Sequence, residues 1–314
     1  MVRYLGRRLV SAALVLWAAF TGTFLLLYIV PGDPVEMMLG QEAAQTMPKE
    51  QIAALRAEFG TDRPALVQYG DQLWKLLHLD LGDSLQQRIP VADVLSGSLP
   101  PTLVLAGAGL VLGVLLGVGL AVLIRTVHAP WLRGPLQALP ALGVAMPTFW
   151  IGLILLQFLS FRWGLFPAFG DEGLDTLVLP AFTLAVPLAA VTAQVLSASL
   201  AATLDEPYVQ VLRAKGVGTV RLFTRHVLRN AALPTLTTVG VWVAQLLGGA
   251  VLTETVFSRR GLGQTAELAV SARDVPVVQG IVLLSALVFV TVSLAVDLLY
   301  GVLDPRIRLR AVTA

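Results

Sequence analysis

Three histidines, His78, His128 and His226, are the side chains best suited to ligate a metal or move a proton near neutral pH. They stand far apart in three different polar stretches, with no ligand spacing to one another. There is no cysteine, which excludes thiolate ligation, a cysteine nucleophile and disulfides. The sequence contains neither a G-x-S-x-G elbow nor a G-x-x-x-x-G-K-[ST] phosphate loop, so it encodes no serine-hydrolase site and no ATP cradle of that kind. If ATP drives this protein, another subunit binds it. Two carboxylates, Glu254 and Asp297, stand in apolar surroundings. They read as interfacial or helix-end residues rather than proton relays, which weighs against an ion-coupled carrier or channel. The remaining concentration of charge is RAKGVGTVRLFTRHVLRN, Arg213 to Asn230. Without interleaved aromatics it is a poor nucleic-acid surface.

The elements that position these residues are mostly apolar. Hydrophobic residues make up 56% of the chain and charged residues 13%, with a mean hydropathy of +0.78, values that belong to an integral membrane protein. A bilayer core needs about 20 helical residues at roughly 1.5 Å each. Six runs suffice: Leu9 to Val30, Leu99 to Ile124, Leu136 to Phe161, Leu174 to Leu204, Leu233 to Phe257 and Val277 to Val302. The first has the Arg3, Arg7, Arg8 flank of a signal peptide. Its apolar run exceeds the roughly 7 to 15 residues of a signal h-region, so it is read as a span.

Basic residues set the orientation. With the N-terminus inside, thirteen of the 22 Lys and Arg fall inside: Arg3, Arg7, Arg8, Arg125, Arg133, Arg213, Lys215, Arg221, Arg225, Arg229, Arg306, Arg308 and Arg310. Inside acids are only Asp205, Glu206 and Asp304, whereas Asp33 to Asp93 carries ten acids against five bases. The expected fold class is an all-α membrane protein with six transmembrane helices, both termini cytoplasmic. The expected organisation is a cytoplasmic tail and first span over 1–32, an external helical segment over 33–98, a five-helix core over 99–303 with a cytoplasmic loop at 205–232, and a cytoplasmic tail over 304–314.

In the external segment, Pro48 to Gly60 places Ile52, Leu55 and Phe59 at helical spacing between a Pro start and a Gly stop. Ala65 to Leu79 carries Leu66, Tyr69, Leu73, Leu76 and Leu77 on one face, with Trp74 suited to a membrane interface. These helices either cap the bundle or receive an external partner. The second span runs GAGLVLGVLLGVG from Gly107 to Gly119, with small residues spaced for close helix approach. LPALGVAMP and LPAFTLAVP recur forty residues apart, and their prolines, Pro140, Pro147, Pro180 and Pro187, predict kinked third and fourth spans.

In the cytoplasmic loop, Thr219 is expected to cap a helix on which Arg221, Arg225 and Arg229 form one stripe, with Val220, Phe223 and Val227 on another side. A shorter helical piece with Val209, Val211 and Leu212 precedes it, and Gly216 and Gly218 supply the reversal between them. The cations could also simply anchor the loop at anionic headgroups, at about 1 kcal/mol each.

Taken together, RYLGRRL from Arg3, PGDP from Pro31, VQYGDQLWKLLHLDLGDSL from Val67, PPTLVLAGAGL from Pro100, MPTFWIGL from Met146, YVQVLRAKG from Tyr208, HVLRNAALPTLT from His226, LGGAVLTETVFSRRGLG from Leu247, RDVP from Arg273 and DLLYGVLDPRIR from Asp297 span nearly the whole chain. The sequence thereby resembles the permease subunits of binding-protein-dependent ABC importers, in the dipeptide, oligopeptide and nickel branch. The resemblance implies a type I importer permease (MetI-like) fold in the bacterial plasma, or inner, membrane. It implies no cofactor on this chain, with ATP and Mg on partner subunits. The implied partners are a homologous second permease, two ATP-binding subunits and an extracellular solute-binding protein.

It further implies that Tyr208 to Arg229 holds the coupling helix that docks on an ATP-binding subunit, with Tyr208, Arg213, Ala214, Lys215, Gly216, Arg221 and Arg225 as coupling residues. Gly216 matches the motif's glycine. Gln210, Val211 and Leu212 depart from its usual acidic or small residues, and Glu206-Pro207-Tyr208 replaces its Asp-Tyr pair. Glu254, Phe257, Gly261 and Gly263 are implied at an external gate or binding-protein contact. Peptides or a similar small solute are the expected cargo and nickel is the alternative, without a metal-ligand cluster to argue for the ion.

Overall fold

The computed structural model describes residues 2–29, 46–59, 62–127 and 129–303. Pro31 to Pro34, Val30, His128, the tail from 304, and the side chains of Leu55, Phe59 and Asp297 therefore lie outside the described residues. Regular structure among the described residues is helical, and the chain divides into two compact units that interleave in sequence.

The first unit comprises Met1–Pro101 and Arg260–Thr291. It holds α1 (Val2–Ile29), α2 (Lys49–Phe59), α3 (Ala65–Leu77), the start of α4 (Val91–Thr126), α11 (Leu262–Ser271) and most of α12 (Val275–Leu303). Both external helices form where the sequence places them, each begun after a proline. The ring of Tyr69 of α3 packs at a tilt against Phe20 and edge-on against Phe24 of α1, with ring centroids 5.3 Å apart in each pair, and its hydroxyl pairs with that of Thr21 at 2.9 Å.

Val91, Val94 and Leu95 pack with Leu262, Ala269, Val277 and Ile281. A methyl group on Gly280 would stand 2.7 Å from Val91 Cγ1, so glycine is what admits α4 to α12. Buried Asp274 ties the LGDSL and RDVP stretches together. Its carboxylate accepts from Ser84 Oγ at 2.5 Å and from the amides of Leu85 and Gln86 at 3.2 and 3.3 Å. A buried charge is tolerable where donors converge on it in this way.

The second unit comprises Thr102–Arg259 and Val292–Ala314. It holds the rest of α4, then α5 (Pro130–Ala145), α6 (Thr148–Leu155) continued by a π-helical segment Leu156–Arg162, α7 (Asp175–Leu204), α8 (Pro207–Ala214), α9 (Thr219–Leu222) continued by a second π-helical segment Phe223–Val227, and α10 (Leu228–Val256). α7 is central. Of its most apolar window 61% is buried, against 28% for α4.

The glycine spacing seen in α4 makes this contact. A Cβ on Gly109, Gly113 or Gly117 would come within 2.9 Å of Leu184, 2.8 Å of Leu188 and 2.6 Å of Thr192. Gly143 of α5 meets Ala190 in the same way, at 2.8 Å. Leu184 and Leu188 also pack with Leu105, Leu246 and Ala250.

Among the described residues, four helices are long and apolar enough to cross a membrane alone, and two bent pairs bring the number to six if each pair is one span. The third expected span is one of these pairs: α5 and α6 meet at 109°. Met146 and Pro147 are extended there, as sterics before a proline favour. In the fourth span the prolines cause no break, and α7 stays one helix through Pro180 and Pro187. The extensive packing of α7, in which Pro180 itself is buried, outweighs the local preference of its prolines. α4 likewise begins at Val91 rather than Leu99 and runs through Pro100 and Pro101. The fifth is the other bent pair, turning by 50° between Val243 and Gln245.

Candidate functional site

The cytoplasmic loop is two helices joined by a capped turn. α8 starts with Pro207 in its first turn after Glu206, and ends at Ala214 with Lys215 as C-cap. Gly216 follows at φ +79°, a left-handed conformation that costs other residues about 1–2 kcal/mol. The amide of Val217 donates to the Leu212 carbonyl at 3.1 Å and that of Gly216 to the Arg213 carbonyl at 3.0 Å. That pair of bonds is a Schellman cap, and Val217 and Leu212 supply its apolar contact as both pack against the same core.

Two sequence expectations are corrected here. Gly218 has ordinary extended angles, so Gly216 alone needs to be glycine for the turn. Gly218, not Thr219, is the cap residue, and Thr219 is the first residue of α9.

The apolar side of the loop also differs from the simple helical pattern. Val220 is 78% exposed, while Leu222, Val227 and Ala231 are buried with Leu196, Leu200 and Val209. The cause is the π-helical turn Phe223–Val227, whose extra residue moves the buried set from a spacing of three and four to Leu222, then five on to Val227, then four on to Ala231. Val209 and Leu222 thus clamp the loop onto the foot of α7.

Arg213, Ala214, Lys215, Gly216, Arg221 and Arg225 are all exposed, as is Arg229. Tyr208 is different: it is half-buried against the core, and its hydroxyl accepts a hydrogen bond from Asn230 Nδ2 at 3.0 Å. Asn230, Leu222 and Val217 are residues that sequence reasoning missed. The Schellman geometry was the available signal for Val217.

At the other end of α10, Glu254 is completely buried and accepts from Thr102 Oγ1 at 2.6 Å. Phe257 is buried against Leu156 and Leu179, and its ring stands 3.2 Å from where a Cβ on Gly152 would be. Arg259, also buried, donates from Nη1 to Thr176 Oγ1 at 3.3 Å. Gly261 and Gly263 belong to the first unit, are buried, and start α11. The family resemblance implied these four positions at an external gate or binding-protein contact, and all four are buried. Glu254 is thus a helix-end residue, two positions before the end of α10, but one enclosed by protein rather than set at an interface.

A cavity of about 280 Å³ opens among α4, α5 and α7, with Arg125, Gln137, Gln194 and Ser197 as its polar lining. Among the described residues no group of three His, Asp or Glu side chains is placed to hold a metal ion.

Residues 109–309 match the family described as binding-protein-dependent transport system inner membrane component, and residues 1–106 match the N-terminal part of such membrane components. The chain belongs to this permease family. The permease is 36% identical over 317 aligned residues to the dipeptide transport system permease protein DppB of Escherichia coli strain K12, covering 91% of this chain and 93% of the relative. A putative peptide transport system permease protein of Brucella abortus strain 2308 is 33% identical over 316 residues, with 98% and 99% covered.

In fold the permease resembles the inward-facing MetNI methionine ABC transporter, at TM-score 0.57 and 17% identity, covering 67% of this chain and 96% of that one. An amino acid ABC transporter is similar at TM-score 0.55 and 18% identity, with 66% and 93% covered. The permease is therefore an all-α, MetI-like, multi-pass protein of the bacterial inner membrane. It is a translocation component whose family works with ATPase and binding-protein partners.

Proposed function

We propose that this permease imports di- or oligopeptides, delivered by an extracellular solute-binding protein, using ATP and Mg bound on two partner ATPase subunits, and that a homologous second permease completes the pathway. The observation that carries the mechanical part is the cytoplasmic loop: a cap at Gly216 fixes the angle between α8 and α9, an apolar underside seats them on α7, and Arg213, Lys215, Arg221 and Arg225 stand outward. A unit so clamped moves as one body with α7, so force applied to its basic face by a closing ATPase dimer reaches the central helix. Tyr208 positions the loop through Asn230 rather than meeting the ATPase. Glu254 and Phe257 then act at the outer end of α10 as packing groups, not as a landing surface. The names of the relatives support peptides as cargo.

The deciding experiment reconstitutes the permease with its cognate partner subunits and binding protein in proteoliposomes. ATP-dependent uptake of labelled dipeptide, with no uptake of radioactive nickel, is expected. Nickel uptake without peptide uptake overturns the cargo assignment.

A further inference from the structure

We propose that α3 is an outer-leaflet anchor, whose uncovered apolar arc lies against lipid acyl chains rather than against external water or a protein. At about 100° per residue, α3 presents three arcs. Ala65, Tyr69, Leu73 and Leu76 occupy the arc that turns to α1, at least half-covered, with Tyr69 packed against Phe20 and Phe24. Gln68, Asp71, Gln72 and Lys75 make the polar arc, where Asp71 accepts from Arg63 at 2.6 Å.

Between them lie Leu66, Leu77, Trp74 and Val67, exposed by 86, 70, 65 and 44%. Those are large apolar side chains side by side on a helix with no buried residue. Four such groups facing water would be an unusual patch for a stable exposed surface.

The depth of the contact with α1 decides what covers them. The apolar window of α1 runs Arg8–Leu26, and the positive-inside rule puts its basic end inside. Thr21, which the Tyr69 hydroxyl meets, is thirteen residues further out than Arg8, or about 20 Å along the helix. The hydrocarbon core is about 30 Å thick, so the tip of Tyr69 reaches α1 within the outer leaflet. A helix standing clear of the membrane could not make that contact. The neighbouring α1 side chains Leu25 and Leu26 are themselves exposed, and the bare arc of α3 continues this lipid-facing flank. Trp74, with His78 stacked at 4.5 Å, supplies the amphipathic ring favoured at headgroup level. Amphipathic helices seated this way bury their apolar side about 5–10 Å into the boundary.

The inference rests on α1 being a span and is independent of which solute is carried. The chain has no cysteine, so single substitutions Leu66→Cys, Leu77→Cys, Asp71→Cys and Lys75→Cys can each carry one fluorophore on the full-length permease in lipid nanodiscs. Positions 66 and 77 are expected to be quenched several-fold more by a spin-labelled lipid than positions 71 and 75, and aqueous iodide should show the reverse order. Adding the extracellular binding protein should leave 66 and 77 unchanged. Hydroxyl-radical footprinting of the unsubstituted permease gives a second reading, in which Trp74 stays unoxidised. Equal iodide access at all four positions overturns the proposal. So does iodide access at 66 and 77 that disappears only when the binding protein is added, which makes the arc a protein-docking surface.

Discussion

Gly216 has open space where a Cβ would go, so the cost of replacing it is the cost of its φ alone. A Gly216→Val variant therefore keeps its fold and membrane insertion but strains the cap by about 1–2 kcal/mol, and the β-branched side chain resists the turn further. Stimulation of ATPase by the loaded binding protein should fall in the reconstituted complex, and Gly216→Asn should fall less because asparagine tolerates left-handed angles. Full stimulation in the valine variant would remove Gly216 from the hinge. Glu254 poses the opposite problem, since nothing about it is open. Thr102→Val keeps the shape of the side chain while taking away the hydroxyl that donates to this buried carboxylate. A loss of about 1–3 kcal/mol is expected, read as a lower unfolding temperature in detergent, and an unchanged melting curve would show that the bond contributes nothing.

Between elements, the contact of α4 with α7 depends on three glycines, one turn apart, and the chain contains its own control. Gly117→Leu drives a side chain into Thr192 and the Ala189 carbonyl, whereas a Cβ at Gly119 on the same helix meets nothing within 4 Å, which leaves room for Gly119→Leu. Overpacking costs about 1–3 kcal/mol, so the first variant should lose folded yield in size-exclusion profiles and the second should not. The loop offers a parallel test of its π-helical register. Leu222→Ala empties a buried site and should cost about 2–5 kcal/mol, while Val220→Ala should leave the melting temperature where it was; equal effects would restore the plain α-helical pattern. The glycine stripe, both external helices and the loop's turn were legible in the residues, because spacing and glycine chemistry are local. The π-turn was not, since it has no compositional signature. Nor was the fate of the prolines: LPALGVAMP breaks and LPAFTLAVP does not, and the difference lies in the neighbours that surround α7. Burial of Glu254 was hidden for the same reason, because its partner Thr102 is 152 residues away in sequence.

For the molecule as a whole, the distribution of charge says where energy can enter. Among the described residues the exposed arginines and lysines of the cytoplasmic loop are backed by an apolar seat on α7, and the sequence holds no phosphate loop of its own. Among the described residues, Glu254 at the outer end of α10 is engaged by Thr102 and shut off from solvent. A proton- or sodium-coupled carrier needs titratable or ion-ligating groups that exchange with water on each side, and Glu254, fully enclosed, is not placed for such exchange. Under the proposed function, solute flux through the permease is tied to partners that hydrolyse ATP. Proteoliposomes holding the purified permease alone should show no accumulation of dipeptide under an imposed proton or sodium gradient, and accumulation should appear only when the ATPase subunits, the second permease, the binding protein and ATP are all present. Gradient-driven uptake by the isolated chain would overturn the assignment of the basic loop as the point where force is received, and would return Glu254 to the centre of the mechanism.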